Sequence, residues 1–187
     1  MAFTAAPVAA RQQPDDGRTD VARLVVAARA GDRAAFGELY VRFGRMVQGI
    51  VLSRVASADA DDIVHDVFLT AMQRLDALEE PLAFGSWVAT IARNRALDFL
   101  RRTPRAEALP PRLFAPGDAS RQSEVIAVYA ALRTLPEQYR ETLTMRLIMG
   151  MTGPEIAETT AMTPGAVRVN LHRGMRLLRE RLDGRAV

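Results

Sequence analysis

Hydrophobic and polar positions along most of this chain recur with the 3.6-residue period of an α-helix, and no stretch shows the sustained alternation of a strand. The clearest case is "TPGAVRVNLHRGMRLLRERL", residues 163–182. Val167, Leu171, Met175, Leu178 and Leu182 are spaced 4, 4, 3 and 4 apart, which sets them on one stripe of a helix. Val169, Arg173, Arg176 and Glu180 fall opposite, with Arg168, Asn170 and His172 on the flanks. Thr163 before Pro164 is a start signal, because a threonine hydroxyl accepts from free N–H groups and proline suits a first turn.

The same period runs through "VARLVVAARA", which stops at Gly31-Asp32, and through "AAFGELYVRFGRMVQGIVLSRV" after it. It continues in "DADDIVHDVFLTAMQRLDAL" and, beyond Pro81, in "FGSWVATIARNRALDFLRR". Residues 21–102 therefore predict one helical domain, preceded by a tail over residues 1–20 that lacks the order of a secretory signal. Residues 103–122 carry Pro104, Pro110, Pro111, Pro116 and Gly117 without a sustained period and read as a flexible linker. Fully extended, such a linker could reach roughly 65 Å.

Helical periodicity resumes at Ser123 in "SEVIAVYAALRTL" and "PEQYRETLTMRLIM", and Gly150 stops it. "TGPEIAETT" then opens with Thr152 and Glu155 at capping-box spacing. After a break at Ala161 and Met162 comes the helix over residues 163–182. A short helix, a tight turn and a longer helix with a basic outer side form a helix-turn-helix pattern. The expected fold is all-α, with two small helical domains over residues 21–102 and 123–187.

Charge adds more than composition does. The 187 residues carry a net charge of only +3 with a pI near 10.1, and every basic residue is arginine. Residues 59–80 hold a net −6, whereas residues 93–105 and 163–187 each hold +4. An acidic block between basic ones points to different partners for different faces. The chain has no cysteine, which excludes disulfides and thiolate metal sites and fits a reducing cytoplasm. No stretch is apolar for the roughly 18 to 20 residues that a bilayer span requires.

Three constellations carry candidate chemistry. On the last helix, arginine can fork onto guanine, Asn170 can pair with adenine, and Val169 can meet a thymine methyl. In "DADDIVHDVFLTAMQ", the residues Ile63, Val64, Val67, Phe68, Ala71 and Leu75 form an apolar face. Asp62, Asp66, Leu69 and Gln73 climb the other side at spacings of 4, 3 and 4. An apolar anchor among acids suits docking of a basic protein surface. Asp61, Asp62, His65 and Asp66 also offer metal donors, but no second helix supplies a completing set, so no metal or other cofactor is expected.

In "FGSWVATIARNRALDFLRR", the residues Trp87, Val88, Ile91, Ala92 and Leu100 suit a core, while Arg93, Asn94, Arg95, Arg101 and Arg102 suit phosphates and unstacked bases. No cysteine nucleophile, phosphate loop or dinucleotide fingerprint marks an enzyme, and Ser, His and Asp occur in no recognisable catalytic arrangement. The alternative for a helix-turn-helix protein of this size is a regulator that binds duplex DNA by itself.

In this order, around a proline-rich linker, the motifs resemble those of bacterial extracytoplasmic-function (ECF) sigma factors over about residues 21–183. "DADDIVHDVFLTAM" is similar to the acidic core-binding helix of region 2, although His65, Asp66 and Met72 stand where glutamine, glutamate and tryptophan are usual. The resemblance implies a promoter-specificity subunit of RNA polymerase, with docking on core enzyme through Asp62, Asp66, Leu69 and Gln73. It implies contact with the −10 strand near Trp87, Arg93, Asn94 and Arg101. It implies contact with the −35 element through Arg168, Val169, Asn170, His172, Arg173 and Arg176 in region 4. RNA polymerase core, promoter DNA and an anti-sigma factor are the partners it implies.

Overall fold

A computed structural model of the chain describes residues 16–103 and 119–184, all helical apart from short turns; most of the expected tail and linker lies outside them. Four helices form the N-terminal unit: α1 (Asp16–Arg29), α2 (Arg33–Leu52), α3 (Ala60–Gln73) and α4 (Phe84–Arg102). Four more form the C-terminal unit: α5 (Ala119–Arg133), α6 (Glu137–Leu147), α7 (Gly153–Thr160) and α8 (Pro164–Asp183). Helix α1 starts inside the segment expected to be a tail, and α5 starts inside the expected linker.

Helix boundaries follow local chemistry. Gly31 adopts φ 94°, a left-handed conformation that glycine takes without a Cβ clash, and Asp32 then caps α2 by accepting from the N–H groups of Ala34 and Ala35. Thr152 and Glu155 form the expected capping box on α7. The turn to α8 is made by Ala161 at φ 55°, and Thr163 caps α8 by accepting from the Ala166 N–H.

The N-terminal core brings the apolar face of α3 against α2 and α4. Ile63, Val64, Val67, Phe68, Ala71 and Leu75 are all buried, together with Leu39, Val47, Val51, Phe84, Val88 and Ala92. Leu100 departs from expectation: it is 44% exposed, and Ala96 and Phe99 complete the packed face instead, so the last turn of α4 turns Phe99 rather than Leu100 to the core. Arg29 of α1 donates to the carbonyls of Leu75 and Leu78, tying the turn after α3 to the first helix. In the C-terminal unit, Val167 and Leu178 are buried, with Leu171, Met175 and Leu182 packed beside them. Gly174 lets α8 approach α6, since a Cβ there would lie 3.1 Å from Leu143 and 3.2 Å from Tyr139.

The two units also touch each other. Ile126, Tyr129, Ile148 and Met149 of the second pack onto the core of the first. The Nη1 of Arg54, on a side chain only 2% exposed, lies 2.5 Å from Oε1 of Glu137. Arg133 donates to the carbonyls of Leu52 at 2.9 Å, the last residue of α2, and Val55 at 3.4 Å, just past it, where helix-end carbonyls lack an intrahelical partner. A Cβ on Gly49 of α2 would lie 2.8 Å from both the Tyr129 hydroxyl and the Ile148 side chain. Arg93 of α4 pairs with Glu141 of α6 at 2.6 Å.

Candidate functional site

Three surfaces carry the residues singled out by sequence. The first is α3. Asp62, Asp66, Leu69 and Gln73 are all exposed along one line of the helix, opposite its buried face. Leu69 is 41% exposed, and Met72 beside it 50%, so the carboxylates flank an apolar patch. Such a patch is a place where a partner gains by covering carbon while the charges orient it.

The second surface is α4. Trp87, Asn94 and Arg101 stand at seven-residue intervals, so they share one side of the helix. Asn94 and Arg101 are exposed, whereas Trp87 is half-buried, tilted against Phe84 with ring centroids 6.0 Å apart. Arg93 points elsewhere, toward Glu141. Arg95 donates to the Thr70 hydroxyl at 2.8 Å, and that hydroxyl donates to the Asp66 carbonyl at 2.7 Å. This chain of bonds braces α4 against α3, so both surfaces keep a fixed relation.

The third surface is α8. Arg168, Val169, His172, Arg173 and Arg176 are exposed on it. Asn170 is half-buried, and its side-chain amide donates to the Met162 sulfur at 3.5 Å, which holds the amide at the turn. Arg176 lies 3.8 Å from Glu180 on the same open face, a pair too solvated to hold the guanidinium. The αL turn at Ala161 and the cap at Thr163 start α8, whose first turn packs Val167 onto Ile156 and Ala157 of α7 and leaves Arg168 and Val169 outward. An exposed helix of this kind, with forked cations around a valine, has the shape and donors to enter a major groove.

Sequence reasoning did not find the contacts between the units. Arg54, Arg133, Glu137 and Glu141 belong to no periodic pattern, and only the burial of an arginine at the end of an apolar helix could have marked one of them. Glu137 also accepts from Arg140 on its own helix. Burial alone raises its carboxyl, but the hydrogen bond from Arg140 and the charge and hydrogen bond of Arg54 outweigh that, leaving it below the ordinary 4.5. Among the described residues, no three histidine, cysteine or acidic side chains gather to hold a metal ion, and no helix is long and apolar enough to cross a membrane.

Comparison with known proteins places the chain in a family. Residues 39–106 match the model of Sigma-70 region 2, and residues 126–178 match that of Sigma-70, region 4. The ECF RNA polymerase sigma-E factor of Escherichia coli K12 is 31% identical, over 87% of this chain and 92% of that protein. The ECF RNA polymerase sigma factor BldN of Streptomyces coelicolor is 29% identical, over 90% of this chain and 68% of BldN. The structure of CnrH in complex with the cytosolic domain of CnrY matches with a TM-score of 0.66 and 26% identity, over 88% of this chain and 98% of the other. The sigma factor RpoE from Bartonella quintana, in complex with the anti-sigma factor NepR, shares the fold, with a TM-score of 0.55 over 90% of this chain at 19% identity. With both sigma regions matched in order and a close-length relative above 30% identity, the chain belongs to the ECF RNA polymerase sigma factors.

Proposed function

We propose that this sigma factor docks on RNA polymerase core through Asp62, Asp66, Leu69 and Gln73, reads the −35 element with α8 and contacts the melted −10 strand with α4. The observation that carries the reading is the outward side of α8, where Arg168, Val169, His172, Arg173 and Arg176 stand exposed while the opposite stripe is buried. In the −35 duplex, Arg173 and Arg176 supply forked donors, Val169 an apolar contact and Asn170 an amide set by Met162. On α4, Asn94 and Arg101 meet the phosphates and exposed bases of the opened strand, Trp87 supplies an aromatic edge, and Arg93 joins them once it leaves Glu141.

The protein contributes binding and selection and no catalytic step of its own. We further propose that it acts in the cytoplasm and that an anti-sigma factor holds it inactive, as the relatives solved with such partners suggest. The test is run-off transcription with purified protein, sigma-free core polymerase and genomic promoter fragments. Discrete transcripts that depend on the protein are expected. Duplex binding without core, and no transcripts with it, would overturn the reading in favour of a free-standing DNA-binding regulator.

A further inference from the structure

Ala161, between α7 and α8, has φ 55°, and among the described residues no other residue with a Cβ has a positive φ. A Cβ makes that conformation costly, so it persists only where surrounding contacts hold it. The turn leaves Met162 half-buried against the cluster of Met145, Ile156, Ala157 and Val167. From there its sulfur accepts a hydrogen bond, at 3.5 Å, from the side-chain nitrogen of Asn170, two turns into α8. A thioether sulfur accepts and never donates, so the NH2 end of the amide faces it and the carbonyl end turns away. An amide free in water presents either end. That of Asn170, half-buried and tied to sulfur, presents one.

We propose that Met162 is a positioning residue for promoter selection: by fixing the Asn170 amide, it makes Asn170 a reader of adenine at one base pair of the −35 element. In the major groove adenine shows its N6 amino donor beside its N7 acceptor. Asn170 meets this pair with its carbonyl oxygen and the N–H next to it, while the other N–H stays on the Met162 sulfur. Guanine shows two acceptors, N7 and O6, and sets one of them against the carbonyl, so the fixed amide rejects it. Arg168, Arg173 and Arg176 only donate, so none of them can accept from an adenine amino group. Met162 itself needs no contact with DNA. The inference rests on the assignment of α8 to the −35 element proposed above.

The test uses holoenzyme assembled from the full chain and sigma-free core polymerase, on a promoter found by run-off transcription, with each −35 base pair replaced in turn. Met162→Leu keeps the bulk and removes the acceptor; Met162→Gln puts a carbonyl oxygen near the place of the sulfur; Asn170→Ala removes the reader. The parent should bind adenine at one base pair roughly tenfold better than any other base there. Asn170→Ala and Met162→Leu should each cut that preference to about twofold or less, with preferences at the other base pairs unchanged. The double variant should be no worse than Asn170→Ala, and Met162→Gln should restore part of the preference. Circular dichroism checks that the variants stay folded. An adenine preference kept in Met162→Leu, or affinity lowered equally on every promoter, would overturn the inference and leave Met162 a packing residue. An Asn170→Ala variant with the parent's preferences would overturn it too; the −35 assignment of α8 would then stand if Arg173→Ala loses selectivity and fall if it does not.

Discussion

The Nη2 of Arg93, midway along α4, lies 2.6 Å from Oε1 of Glu141, midway along α6. One helix belongs to the unit matched by sigma region 2 and the other to the unit matched by region 4. The pair thus joins a cation expected to face DNA to the protein's own carboxylate. A second pair, Arg54 with Glu137, anchors the same face from the end of α2.

That second pair makes stability depend on acid. Glu137 titrates below 4.5 in the folded chain, so its contribution is present above that ordinary value and is lost as pH falls through the lowered one. Arg54→Met should reduce stability by about 1–3 kcal/mol near neutral pH, less than for a fully buried pair, because Glu137 is 45% exposed and keeps Arg140. Urea denaturation near neutral pH and again at about pH 3 should show the gap between parent and variant narrowing in acid. An equal gap at both would assign the loss to packing alone.

Gly174 sets how closely α8 lies on α6. Gly174→Val should cost the C-terminal unit about 1–3 kcal/mol through crowding against Leu143 and Tyr139. Gly174→Ala should cost much less, because its gain in helix propensity of about 1 kcal/mol offsets a contact only a few tenths of an ångström too close. Thermal unfolding of the two variants against the parent decides between crowding and a general intolerance of side chains.

Arg173 stands in the middle of the exposed side of α8. Arg173→Ala should lose about 1–3 kcal/mol of discrimination between a matched and a scrambled −35 sequence, if its fork meets a base edge. Fluorescence anisotropy with both duplexes measures this, and equal losses on the two would reduce its role to phosphate contact. Raising salt should weaken binding of parent and variant steeply.

On α3, Asp66→Lys reverses the charge at the centre of the acidic stripe without touching the buried face. Affinity for core polymerase should fall at least tenfold, about 1.4 kcal/mol or more, with helical content unchanged. Leu69→Ala should weaken the same binding while leaving its salt dependence alone. Core affinity equal to the parent's in both variants would move the docking surface elsewhere.

Much of this was legible in the sequence because it is local. The buried stripes of α3 and α8 follow from spacing alone, and the caps at Thr152 and Thr163 lie within a turn of the groups they satisfy. Leu100 was misplaced because Phe99 and Leu100 are both apolar neighbours at the edge of the stripe, and spacing alone does not say which of them meets the core. Arg93 could be read as a cation but not assigned a counter-ion, since Glu141 lies beyond the linker and no period connects them. Gly49 gave no signal, because a glycine within a helix looks like a weak point until another element is seen to rest against it.

Gly49 has a consequence in genetic terms. Most random substitutions in a helical protein damage it, but a side chain at position 49 strengthens the helix that carries it and pushes only against the other unit. Small substitutions at Gly49 should therefore leave each unit folded and act only on how the two units meet, each by occupying space that the wild-type chain keeps empty for its own second half.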